Sequence, residues 1–470
     1  MAGPVKRPQR LINDLKTYSA RLLPLFLPIL VEQFFITIMS VVNTMMSSRL
    51  GPEAISAIGT DASIINVANS FFSALGIGGT VVVAQFTGQD DHRSANKAAA
   101  MAISSAVVIS VLVSGSLFVF RVRLIDSLFG QADPLILEYA LQYMAIVVFY
   151  FIPVAINTMS FGILRGAGDM KTPMKISIFM NVLNVVLGYQ LIYGLHIHWG
   201  WLQLNTAGLG VRGAAISMLT AESSGTILVM IVLFLPNRVI CLRDRSLFGF
   251  DRKLLGRIFG LGLPASAEQL MFNGGKVIVQ VFLMSFGTAQ IAANSVVSSV
   301  STLILIPGNA LATLATTVVG QAYGARQYDD ARSILRQLNR LSMLLLAGTS
   351  LLTLLLAHPL LGLYTDDPAT LAVSYPLLIV YLAVTTVIWP ASFVIPAGLR
   401  GAGDVKFTMI VSIISMWLLR ILMSYVLGVV LQGGVMGIWV AMYIDWVGRL
   451  LFFVPRMRGR RWLHQPSARI

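Results

Sequence analysis

Two glutamates recur in one setting, and both are placed to do chemistry. Pro28-x-x-x-Glu32-Gln33 returns as Pro264-x-x-x-Glu268-Gln269. Each acid lies well inside an apolar run. An ionised carboxylate at the centre of a membrane helix costs about 2.5–3.5 kcal/mol, so it faces a cavity or a partner. The proline one turn earlier lacks an N–H and clashes with the preceding turn, which frees a backbone carbonyl near the acid. Carbonyl plus carboxylate can hold Na⁺, and a desolvated carboxylate can carry a proton. The structural alternative is that a buried Glu beside a Gln ties neighbouring helices together.

Other charges inside apolar runs sort by half. Asp61, at the mouth of span two, and Glu222, in span six, join Glu32. Asp61 could equally cap its helix. No Lys or Arg follows Glu32 in its span before Arg49, so the first half offers no buried base. An unpaired acid there must be neutral, cation-bound or substrate-facing. The second half sets Glu268 and Asp445 against Lys276 and Arg420, a balanced group in which Glu268 can find a partner.

These residues presuppose a membrane. The 470-residue chain is 56% apolar and 11% charged, with mean hydropathy +0.79. Soluble domains carry roughly 25% charged residues. Apolar runs long enough to cross roughly 30 Å of hydrocarbon recur, and alternating barrel strands are absent. Twelve spans are expected, near 22–47, 60–86, 98–119, 134–160, 172–193, 210–235, 258–285, 296–320, 338–357, 369–397, 407–431 and 435–455. The first run continues without a small-residue cleavage site, so no cleaved signal is expected. The fold class is an all-α polytopic membrane protein with two pseudo-symmetric six-helix bundles. Residues 1–236 form the first lobe with a basic tail, 237–257 a linker, 258–456 the second lobe and 457–470 a basic tail.

The duplication is written in three places. Besides the glutamate motif, Gln85-x-x-Gly88 recurs as Gln321-x-x-Gly324. Leu164-Arg165-Gly166-Ala167-Gly168-Asp169 recurs as Leu399-Arg400-Gly401-Ala402-Gly403-Asp404. Arg165 and Arg400 favour a carbonyl terminus of a helix. Gly166, Gly168, Gly401 and Gly403 permit a tight turn with positive φ. Asp169 and Asp404 can cap the next helix. No Walker lysine pattern accompanies these loops, so they read as structural. Six spans per half give parallel repeats, whose rocking opens a central path to one side and then the other.

The net charge of +14 follows from topology. Of 34 Lys and Arg, 27 fall in the termini and even-side loops, and Arg49, Arg121, Arg123 and Arg212 on the opposite side. Lys276, Arg420 and Arg449 lie within spans. The bias places both termini in the cytoplasm and removes the nucleic-acid reading of a basic chain. The single cysteine, Cys241, excludes an internal disulfide. His196-x-His198, beside Trp199 and Trp201, has nothing to complete a ligand set, so no metal site is expected. No buried His serves an intramembrane enzyme.

With Asn181-x-x-Asn184, Gln321-Ala322-x-Gly324-Ala325 and Trp417-x-x-Arg420 added, the ordered motifs identify a resemblance over almost the full chain. It resembles the multidrug and toxic compound extrusion (MATE) family of the MOP superfamily. The resemblance implies two six-helix lobes, a V-shaped cavity and export of drugs or metabolites coupled to H⁺ or Na⁺ entry, with no cofactor. Organic cations or amphiphiles are the expected substrates, membrane lipid the surroundings, a monomer the form and the bacterial inner membrane the place. The chain departs from the family where it matters: Asn43 and Gly188 stand where many members carry Asp. Phe272 or Asn273 stands in place of a span-seven Glu, and Trp389 in place of a span-ten Asp. Asn157 and Asn184 remain as polar survivors. Glu32 and Glu268 are therefore the expected coupling or substrate acids, with Asn43, Asn157, Asn184 and Asp61 as polar contacts. A lipid-linked saccharide flippase of the same superfamily is the alternative.

Overall fold

The computed structural model describes the backbone of residues 7–463 except 49, 51, 130–132, 195, 200, 201, 206, 207 and 237. Side chains are described over the same residues except 7–21, 47, 48, 52–57, 60, 63, 128, 129 and 196–205. The expectations on Arg49, on the side chains of His196, His198, Trp199 and Trp201, and on the tail from residue 464 lie outside the described residues.

The first repeat comprises α1 (Arg7–Ser48), α2 (Pro52–Gly88), α3 (His92–Phe129), α4 (Pro134–Gly166), α5 (Lys171–Tyr193) and α6 (Gly210–Phe234). An antiparallel hairpin, β1 (His196–Trp199) with β2 (Leu202–Asn205), joins the last two. The second repeat comprises α7 (Arg252–Met284), α8 (Thr288–Ile304), α9 (Ile306–Gly324), α10 (Tyr328–Leu355), the short α11 (Ala357–Gly362), α12 (Pro368–Gly401), α13 (Val405–Ile414) and α14 (Gly434–Arg458). Two π-helical stretches, Ser415–Ile421 and Ser424–Val430, prolong α13 into one span.

Among the described residues ten helices are long and apolar enough to cross a membrane. The bent pair α8–α9 makes eleven. The twelfth expected span, α7, has the length at 33 residues but carries Glu268, Gln269, Asn273, Lys276 and Gln280. It is polar because it lines the seam and a cavity. The halves differ most at that bent pair. α2 runs 37 residues unbroken, whereas its counterpart bends by 50° after Ile304. Pro307 explains the break: its ring clashes with the Leu303 carbonyl and offers no N–H. Phe71 holds the matching place in α2.

The duplicated loops end α4 and α12 alike. Asp133 and Asp367 cap their starts, ahead of Pro134 and Pro368. Gly168 and Gly403 both take φ +92° and donate N–H to the carbonyls of Arg165 and Arg400. Gly166 and Gly401 stay helical, so only the second glycine of each motif supplies the positive φ. Asp169 caps α5 by accepting from the Lys171 and Thr172 amides. Asp404 departs from that expectation. Its carboxylate accepts from Arg456 at 2.8 and 3.2 Å, and α13 starts without a side-chain cap from it. Arg456, at the end of α14, offers a charged fork that outcompetes a helix-start amide.

The linker is docked rather than free. Ile240, Leu242 and Leu247 join the first lobe's core. The Cys241 amide donates to Asn96, and Lys97 pairs with Asp251 at 2.7 Å. Asp251 also caps α7, and its hydrogen bond from Lys97 holds its carboxyl below the usual range.

Each repeat's first helix begins packed on the other repeat. Leu22, Phe26 and Ile29 of α1 belong to the second lobe's core, and Ile258, Leu261 and Ala265 of α7 to the first lobe's core. At the basic-loop side the exchange is reciprocal. The Gln85 amide donates to the Gly401 carbonyl at 3.1 Å, and the Gln321 amide to the Gly166 carbonyl at 2.9 Å. Arg257 donates to the Gln85 oxygen at 2.5 Å. A Cβ on Gly88 would strike the Gln321 carbonyl, and one on Gly324 the Gln85 carbonyl. From there the α2–α7 seam runs through Ser266 on the Phe71 carbonyl to Asn273 on Ser70 at 2.7 Å. A valine at either glycine must part the seam. In a Cys241→Ser background, Gly88→Val or Gly324→Val should raise labelling of a cysteine placed at Ser73 severalfold, when an impermeant maleimide is added from the basic-loop side. Unchanged labelling would show that the seam does not depend on this close approach.

Candidate functional site

Three groups of buried charge occupy the two lobes, and only one kind was expected to be paired. The expectation that Glu32 has no base is corrected. Arg165, on the last turn of α4, donates to Glu32 Oε1 at 2.5 Å, with the carboxylate side chain 2% exposed. The equivalent pair forms in the second lobe, where Arg400 meets Glu268 Oε1 at 3.1 Å. Glu268 therefore takes neither Lys276 nor Arg420. The cause is geometric. The end of α4 returns beside α1 at the depth of Glu32, and a charged fork there answers the acid more closely than a residue on the acid's own helix. The signal was present in the sequence: a duplicated acid accompanies a duplicated base.

The second group lies in the first lobe. Tyr143, Tyr150 and Asn157 recur every seven residues on α4, a spacing that keeps them on one face. All three are buried. The Asn157 amide donates to Glu222 Oε2 at 2.7 Å and to the Glu222 carbonyl at 2.9 Å. Thr226, one turn further on α6, donates to Asn157 Oδ1 at 3.0 Å. Tyr143 lies within electrostatic reach of Asp61, and Tyr150 of Glu222. Asp61 is fully buried, and among the described residues neither carboxylate oxygen has a hydrogen-bond partner. A buried carboxylate without a partner is costly, so it takes up a proton or a cation. Asn43 and Asn184 are half-buried on α1 and α5, away from this hydrogen-bond network. Further along the seam from the basic-loop side, Asn66, Asn69, Ser70 and Ser73 of α2 face Gln269 across a cavity of about 310 Å³.

The third group surrounds a cavity of about 600 Å³ within the second lobe. Lys276 and Arg420 line it, with Trp389, Tyr381 and Trp439 among its aromatic walls. Behind it, Arg449 donates to Asp445 at 2.9 Å, and Ser415 also donates to that carboxylate. Arg420 stands 3.8 Å from Asp445, beyond hydrogen-bond distance. Arg449, counted in its span but not in the expected ion group, is the residue the sequence reading missed. Its four-residue spacing from Asp445 was the available signal.

Comparison with known proteins follows the same duplication. The MatE family model matches residues 28–190 and again 264–426, two blocks offset by 236 residues. The uncharacterized transporter YisQ of Bacillus subtilis is 28% identical, covering 96% of each chain. The multidrug resistance protein MdtK of Pectobacterium atrosepticum is 25% identical over 97% of this chain and 98% of its own. An outward-facing multidrug resistance MATE family transporter of the MOP superfamily matches in fold, with TM-score 0.85, 22% identity, and coverage of 93% and 95%. A MOP superfamily transporter from Pyrococcus furiosus matches with TM-score 0.85 at 21% identity over 94% and 96%.

The Glu32–Arg165 contact makes a stability prediction. Breaking a buried pair strands the other charge, at a cost of about 3–5 kcal/mol. Glu32→Gln and Arg165→Gln should each lower the unfolding temperature of the purified protein, and the double variant should recover part of the loss. A Glu32→Gln protein as stable as the parent would exclude the pair as a clamp.

Proposed function

The chain belongs to the MatE family, and on that premise we propose that it exports amphiphilic drugs or metabolites by antiport against H⁺ or Na⁺. The carrying observation is the family match over both repeats, together with relatives named for multidrug resistance over nearly their whole length. The reading places it as a monomer in a bacterial inner membrane with both termini cytoplasmic, in keeping with the distribution of Lys and Arg.

We move the proposed coupling role from Glu32 to Asp61 and Glu222. Glu32 and Glu268 each have an arginine, and a charge already answered has little reason to take up an ion. Asp61 has no partner among the described residues, and Glu222 is held only by neutral Asn157. Asn157 and Thr226 would orient Glu222, and Tyr143 and Tyr150 would shield both acids from water. Ion uptake would neutralise this strip, and its release would restore the charge. That change has to reach the seam, where the Gln85–Gly401 and Gln321–Gly166 hydrogen bonds join the repeats at the basic-loop side. Residues 1–236 and 258–456 would rock against each other, with the paired glycine loops at the contact.

Transport into everted vesicles, the direction that corresponds to efflux from the cell, tests this. With a cationic fluorescent dye and each ion gradient imposed alone, Asp61→Asn and Glu222→Gln should each cut driven efflux at least about tenfold, the scale of an essential group. The effective gradient identifies the ion. Parental efflux by both variants would remove the strip from the mechanism.

A further inference from the structure

The repeats share a fold but not their charges. Lys276 and Arg420 lie 236 residues after Ser40 and Asn184, so the second lobe bears cations where the first bears neutral groups. Asp61 in turn matches Val297. The second-lobe interior brings together Lys276, Arg420, Arg449 and Asp445. The charges acting on Lys276 are those of Arg420 and Arg449. One carboxylate cannot answer three cations. Arginine does not deprotonate in proteins, so even a neutral Lys276 leaves positive charge in excess.

Among the described residues Lys276 has no ion pair, and its ammonium stands 4.8 Å from the Phe272 ring centre with its side chain open to the cavity. Arg420 makes no hydrogen bond among the described residues, and its Nε is without an acceptor. Lys276, without an ion pair among the described residues, and Arg420, answered only by Asp445 at 3.8 Å, thus face one chamber. The chamber itself arises from the bend at Pro307, and the Trp389 ring packs on Gly308 beside it. Trp389 and Phe393 stack with centres 4.9 Å apart, and Tyr381 meets Trp439 edge-on at 5.4 Å. The π-helical turns that carry Arg420 add a residue per turn and re-aim the span's side chains, a distortion typical of functional sites.

We propose that this cavity binds an organic anion with an aromatic body, its acidic group between Lys276 and Arg420 and its ring against Trp389 and Tyr381. The inference rests on the export reading and narrows its substrate class. An anionic acid group suits an arginine fork, and a flat apolar body suits the aromatic walls. A volume of about 600 Å³ admits one such molecule.

Matched probes test it directly. The purified full-length protein in nanodiscs is titrated calorimetrically with 2-naphthalenesulfonate and with 2-naphthyltrimethylammonium, which share a ring system and differ in charge. The sulfonate should bind at least about tenfold more tightly, or 1.4 kcal/mol. Lys276→Met should remove most of that preference, and Lys276→Arg should keep it. The probe comparison on the unaltered protein decides the matter even where a variant fails to fold. Equal or tighter binding of the ammonium, or undiminished sulfonate binding by a folded Lys276→Met protein, would overturn the proposal. Sulfonate binding without ion-driven transport of either a cationic or an anionic dye would end the export reading and leave this one standing. Efflux of cationic dye with preference for the ammonium would do the reverse.

Discussion

A charge inside a membrane span has to be answered, and the way each one is answered divides the molecule into parts. Where an arginine returns beside a glutamate, as at Glu32–Arg165 and Glu268–Arg400, the charge is spent on holding helices together. Where no counterion comes, as at Asp61 and Lys276, the charge remains available to an ion or a substrate. The two outcomes fall at different depths. The spent pairs lie near the paired glycine loops, beside the seal. The unspent Lys276 lies further along α7 and lines the second-lobe cavity.

Duplication provides the frame and divergence provides the function. The reciprocal hydrogen bonds of Gln85 and Gln321, and the glycines that let their backbones cross, are copied in both halves because a pseudo-twofold contact needs the same groups twice. The chambers are not copied. Pro307 bends the second repeat where Phe71 leaves the first straight, and Leu305 and Asn309 beside the bend line the second-lobe cavity. Among the described residues, the acids without an ion pair, Asp61 and Glu222, lie in the first lobe, and the excess of cations lies in the second. An exporter built this way can seat an ion and an organic solute in separate lobes and couple them through the seam.

Much of this was legible in the residues. Three repeated motifs on one diagonal revealed the halves, and the apolar runs revealed the spans. The polar α7 was legible as a span only through its place in the repeat, since its apolar content alone falls short. The partner of Glu32 was not legible by proximity, because Arg165 lies 133 residues away in a motif that reads as a turn. Offering Lys276 or Arg420 as partners of Glu268 failed for a related reason: charges counted within spans say nothing of which other helix end arrives beside the acid. The α4 strip was visible as a seven-residue repeat of Tyr143, Tyr150 and Asn157. Its meaning needed Asp61 and Glu222 brought to it by two other helices.

The account depends on a carboxyl group in the first lobe that is neutral when no cation is offered. Infrared spectroscopy of the purified protein in choline buffer at neutral pH, free of Na⁺, measures this most directly. A protonated carboxyl band that titrates with pH and disappears in Asp61→Asn is the expected result. A spectrum with every carboxyl ionised, unchanged by that substitution, would contradict it.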